Sequence, residues 1–183
     1  MALEKTFREF VTQLRRVHDR LEELRVTVVE DKPKKNDAVI VDRFEYAVED
    51  LFGAVDEISA AAREAQKAVG YPLDIEQARC ALAKCQDQFH KFEQGFNTNL
   101  VSYERMKDLS SFGSERRGEW PSWVASVKQG IEQCREPVEA AGRCLAECWA
   151  ELAERAGMMS VSVKTTNIGQ KIMAPLKEEV VHE

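Results

Sequence analysis

The stretch Leu3 to Val28, LEKTFREFVTQLRRVHDRLEELRVTV, decides how this chain folds. Its large apolar side chains stand at Leu3, Phe7, Phe10, Leu14, Val17, Leu21, Leu24 and Val28, in alternating steps of four and three. A step averaging close to the 3.6-residue helical period places all eight on one narrow stripe, with mostly charged residues elsewhere. Such a seam is hidden only against other helices. Helix-on-helix packing is therefore the starting expectation for the fold.

Three further seams follow. Val41, Phe44, Val48, Leu51, Val55, Ile58, Ala62, Ala65 and Val69 repeat the pattern. So do Ile75, Ala78, Leu82, Cys85, Phe89, Phe92, Phe96, Asn99, Tyr103 and Met106. The last runs through Trp120, Val124, Val127, Ile131, Cys134, Val138, Ala141, Leu145, Cys148 and Leu152. The helices are expected at about residues 3–30, 38–69, 75–109 and 120–156. Short polar connections make sequence neighbours antiparallel, so the expected fold is an all-α, up-down-up-down four-helix bundle over residues 1–157. A hairpin completing its bundle by forming a homo-oligomer is the other use of these seams, and one chain already supplies four of matching length.

Local signals mark the breaks. Pro33 disfavours helix before it, and Asn36 or Asp37 can cap the second helix. Gly70 and Pro72 close that helix, and Asp74 with Gln77 reads as a capping box for the third. Pro121 fits the first turn of the fourth helix. Pro137, inside a seam that keeps its phase, implies a bend in one helix rather than two helices. Gly157 is expected to end that helix. Asn99 is the one fully polar seam member; a slight rotation would turn Leu100 inward instead. Alanines 60, 61, 62, 65 and 68 would let a neighbouring helix come close to the second helix or leave room for large side chains.

Composition narrows the function classes. The 183 residues are 44% hydrophobic and 32% charged, with a net charge of −6 and scattered basic residues. Nucleic acid and anionic membranes need a continuous basic surface, so neither is expected as a partner. The charged N-terminal stretch does not read as a signal peptide, and no run approaches the ~18 apolar residues of a spanning helix. Five cysteines, an odd number, suit reduced thiols in the cytoplasm.

Catalytic and metal chemistry find little footing. A carboxylate-bridged di-metal centre needs inward Glu-x-x-His pairs. Arg15, not an acid, precedes His18 by three, while Asp87 and His90 flank the seam at Phe89. Cys80, Cys85, Cys144 and Cys148 come level across antiparallel helices, but Cys80 faces away, so buried reduced thiols are expected rather than zinc. No cofactor and no catalytic residue is assigned. The isolated glycines 53, 95, 130 and 142 are expected to mark close helix contacts.

The expected function is a non-enzymatic cytoplasmic adaptor or regulatory subunit that binds a larger protein. Phe112, Trp120 and Trp123 are candidate docking anchors at one end of the bundle, or else they plug that end. After Gly157 the heptad is lost, and Val161, Val163, Ile168, Ile172, Met173 and Leu176 are candidate partner-binding residues in a non-bundle C-terminal tail. The alternatives are a membrane-acting bundle whose helices reopen on lipid, and a ligand- or metal-binding bundle using the space beside the alanine-rich half of the second helix.

Overall fold

The computed structural model describes residues 2–101 and 119–159. Among these, four long helices account for nearly all of the chain: α1 (Ala2–Arg25), α2 (Ala38–Ala68), α3 (Ile75–Phe96) and α4 (Glu119–Met159). A π-helical turn extends α1 over Val26–Glu30, and another extends α3 over Asn97–Val101. Asp37 caps α2, its carboxylate accepting from the Val39 and Ile40 amides at 3.1 and 3.3 Å. Asp74 caps α3 by accepting from Gln77 N–H at 3.1 Å. Asn36 instead donates its amide to the Pro33 carbonyl at 2.7 Å, which helps turn the first connection.

Every member of the α1, α2 and α4 seams is buried. Because the seams converge, one continuous core runs the length of the bundle. Its centre is an aromatic column in which Phe89, Phe92 and Phe96 stack at centroid distances of 6.2 and 6.1 Å, with Phe10 edge-on to Phe89 at 6.1 Å. Burying each such ring is worth roughly 2–3 kcal/mol.

Two details differ from the plain heptad. At the end of α3 the π turn shifts the phase by widening one turn, so Leu100 and Val101 are buried and Asn99 is only partly so. In α4, Gly157 does not stop the helix, which continues to Met159; glycine lowers helix propensity but does not forbid it. Pro137 lies buried inside this one unbroken 41-residue helix. The expected continuation of α3 toward residue 109 lies outside the described residues, as does the segment from residue 160 onward.

The helices surround the core in chain order but pack unequally. Contacts between α1 and α4, and between α2 and α3, are extensive; those between α1 and α2, and between α3 and α4, are sparser. The residues flanking each seam explain the difference. The flank of α2 that turns away from α1 carries Ala47, Ala54, Ala61 and Ala68, one every seven residues, and α3 meets it with Ala81 and Gly95. A β-carbon on Gly95 would touch Leu51 Cδ2 at 3.4 Å. On α4, the flank facing α1 carries Gly130 and Cys144, and a β-carbon on Gly130 would come within 2.8 Å of Leu24 Cδ1. Small side chains let these backbones approach.

The other two interfaces carry long residues. His18 and Arg25 of α1 meet Phe52 of α2, and Gln66 lines the same side, while Glu93 of α3 faces Arg135 of α4. These side chains hold their helices apart. The bundle is thus two close pairs leaning together, with a groove along each wider side. Ala61→Leu, which adds bulk to the close α2–α3 side, is expected to cost about 1–3 kcal/mol of stability. Ser59→Leu, two residues earlier and on the wide side, should change stability by less than about 0.5 kcal/mol. Urea unfolding followed by circular dichroism checks both.

Candidate functional site

Trp120 and Trp123 lie where α4 begins, beside the π turn that ends α1. Their indoles stack at 5.0 Å and are 1% and 4% exposed. Trp123 Nε1–H donates to the Thr27 carbonyl at 2.8 Å, and Phe44 meets its ring edge-on at 6.2 Å. Carbonyls in the last turn of a helix lack intrahelical partners, so the indole satisfies one that α1 leaves open. Both tryptophans therefore plug the bundle end, and in this fold neither presents an exposed docking surface. Phe112, Val161, Val163, Ile168, Ile172, Met173 and Leu176 lie outside the described residues.

All five thiols are free. Cys80 is exposed, as its position off the seam requires, while Cys85, Cys134, Cys144 and Cys148 are buried. Burial pushes Cys85, Cys134 and Cys148 up to about 12, because the interior disfavours the thiolate. It also raises Cys144, with Glu147 and Glu9 adding to the shift. A nucleophilic or metal-binding cysteine needs a readily formed thiolate, and these are small apolar core residues. Among the described residues no group of three or more His, Cys, Asp or Glu side chains is placed to hold a metal.

The α1–α2 groove is a concavity of about 520 Å³ between facing helices. Val11, Leu14 and Ala62 supply its apolar lining, and Arg15, Asp19, Asp56 and Arg63 supply charges of both signs. It runs beside the alanine-rich half of α2, where small side chains had implied spare room. His18 borders it, with its ring edge-on to Phe52 at 5.4 Å and Nδ1 3.5 Å from Asp19 Oδ1. Above it the Arg25 guanidinium lies 5.8 Å from the centre of the Phe52 ring, a cation–π contact. The groove on the opposite side, about 260 Å³, is lined by Glu93, Asn97 and Arg135. Burial raises the Glu93 carboxyl above its ordinary range, with His90 partly opposing the shift.

No protein-family model, curated protein sequence or solved structure matches the chain.

The chemistry of the larger groove follows from its residues alone. A mixed-sign polar rim of Arg15, Asp19, Asp56 and Arg63 surrounds an aliphatic floor of Val11, Leu14 and Ala62. Sequence reasoning placed space beside the alanine-rich half of the second helix but not the lining that α1 supplies: Val11 and His18 look like ordinary flanking residues until Ser59 and Gln66 are set opposite.

Proposed function

We propose that this chain is a non-enzymatic cytoplasmic interaction protein, an adaptor or regulatory subunit that binds a larger protein. The observation that carries the reading is the α1–α2 groove, an aliphatic floor with a mixed-charge rim on a bundle whose seams are otherwise consumed by folding. The protonated thiols of Cys85, Cys134 and Cys148 support it by leaving these core cysteines without the thiolate that covalent chemistry uses. Free rather than paired thiols suit a reducing compartment. Among the described residues no helix is long and apolar enough to cross a membrane. The apolar residues Ile168, Ile172, Met173 and Leu176, which follow the bundle and belong to no seam, extend the binding surface in this reading.

Quantitative capture from a cell extract tests it. The bait is the full chain, compared with Ser59→Trp, which fills the groove, and with a chain ending at Met159. A protein held stoichiometrically by the full chain and lost from either variant is the expected result. An identical, substoichiometric set on all three baits, each verified as folded by circular dichroism, would overturn the reading.

A further inference from the structure

Among the described residues the large apolar side chains left exposed are Val39, Tyr46 and Tyr71. Val39 and Tyr46 are 63% and 76% exposed and stand seven residues apart on α2, so they share the face that points away from the core. The same seven-residue line continues through Gly53 and Ala60. It spans about 32 Å of helix, at about 1.5 Å per residue.

Gly53 gives this line its interest. A glycine in a helix interior costs about 1 kcal/mol relative to alanine. Gly95, Gly130 and Gly142 have a packing reason, since a β-carbon on each would press on Leu51, Leu24 or Phe89. The expectation that all four mark close contacts within the bundle fails at Gly53, where a β-carbon would meet nothing within 4 Å. Its bare backbone is open to the outside, midway along an exposed apolar line.

Charge surrounds that line on both sides. Asp42, Glu49 and Asp56 flank one edge, Asp50 and Glu57 flank the other, and all five are exposed. Arg43 and Arg63 of α2 stand in the same two rows, one in each, and Arg25 of α1 feels Glu49 while its guanidinium pairs with Glu22 at 2.5 Å.

We infer that the outer face of α2 is a docking surface for a basic amphipathic helix of a partner protein. The partner lays an apolar stripe along Val39, Tyr46, Gly53 and Ala60, sets a large side chain over Gly53, and brings lysines or arginines to the two acidic edges. A helix fits because a straight line with seven-residue spacing matches another helix turn for turn. The charge fits because a row of carboxylates on each side selects cations and repels acidic competitors. This inference deepens the interaction reading above and rests on it.

The test is fluorescence anisotropy of a labelled 21-residue helical peptide carrying leucines in a heptad stripe flanked by lysines, titrated with the full chain. Tyr46→Ala and the pair Asp50→Lys with Glu57→Lys are each expected to weaken binding at least tenfold. The pair Glu147→Lys with Glu154→Lys makes the same charge change at the same spacing on α4 and should leave binding within about twofold. Equal loss from both charge-reversed pairs would mean attraction to overall acidity and would overturn the inference, as would no loss from either. A tenfold gain in the full-length variant Ile168→Ser, Ile172→Ser, Met173→Ser would identify the chain's own C-terminal segment as the occupant, and would equally overturn the assignment to a partner. Because the peptide reads α2 alone, its failure alongside a specific, groove-dependent capture would reject this face while leaving the interaction reading intact.

Discussion

Trp123→Ala is expected to destabilise the bundle by about 3–5 kcal/mol, the range for removing a large aromatic from a packed core. In a domain of this size that corresponds to a fall in Tm of roughly 10 °C or more. The loss has two parts. The indole fills the space between Trp120 and Phe44, and its N–H satisfies the Thr27 carbonyl at the end of α1. Trp123→Phe keeps much of the ring and gives up the hydrogen bond, so it should cost less than alanine, with about 1 kcal/mol assignable to the bond. Urea unfolding monitored by circular dichroism separates the two substitutions. A loss under about 1 kcal/mol for the alanine variant would mean that Trp123 contributes little to folding and would reopen its role as a docking anchor.

The second large effect is alkaline instability. In the unfolded chain the thiols of Cys85, Cys134 and Cys148 lose their protons above their ordinary value of 9.0, whereas in the folded chain burial holds the protons on until about 12. Between those limits the unfolded chain binds fewer protons than the folded one, so stability falls as pH rises. Each thiol contributes about 1.4 kcal/mol per pH unit, and the three together about 4. Over the three units from 9 to 12 this amounts to at most about 12 kcal/mol, comparable to the usual stability of about 5–15 kcal/mol, so the chain is expected to be strongly destabilised in alkali. Urea midpoints measured from pH 8 to 11 check this. Cys134→Val keeps an apolar side chain and removes the proton, so its pH slope should be shallower by about a third. An unchanged slope would show that other titrating groups, not the buried thiols, govern alkaline unfolding.

Much of the architecture is legible in residue order because a helix converts spacing into direction. Leu3 to Val28 could bury its eight apolar side chains only on one side, and three seams of comparable length supplied the other walls. Asp37 and Asp74 act as caps because their side chains reach orphan amides two or three residues on, a local geometry that needs no tertiary information. Leu100 was harder to place. The heptad nominates Asn99, and it is the wider π turn, stabilised by what packs around it, that brings Leu100 into the core.

The candidate surfaces are less legible, since exposure is a property of the assembled bundle. Trp120 and Trp123 read as anchors or, in preference, as plugs, and Thr27 and Phe44 stand beside Trp123 only in the assembled bundle. Gly53 resembles Gly130 in the sequence, and only the presence of Leu24 against one and of solvent beside the other tells them apart.

By itself, then, the order of residues determined four amphipathic helices, their caps, their antiparallel sequence and a core sufficient to hold them, because each follows from the 3.6-residue period and from short-range hydrogen bonds. The tertiary structure alone decided which flank of each helix meets which neighbour. That choice puts Ala47, Ala54, Ala61 and Ala68 against α3, and Phe52, Ser59 and Gln66 against α1. Small residues let one pair of sides come close, and bulky ones such as Phe52, His18 and Arg25 stand between the other pair. The α1–α2 groove and the free outer face of α2 exist because side-chain size, summed across two helices, sets how near their backbones can come.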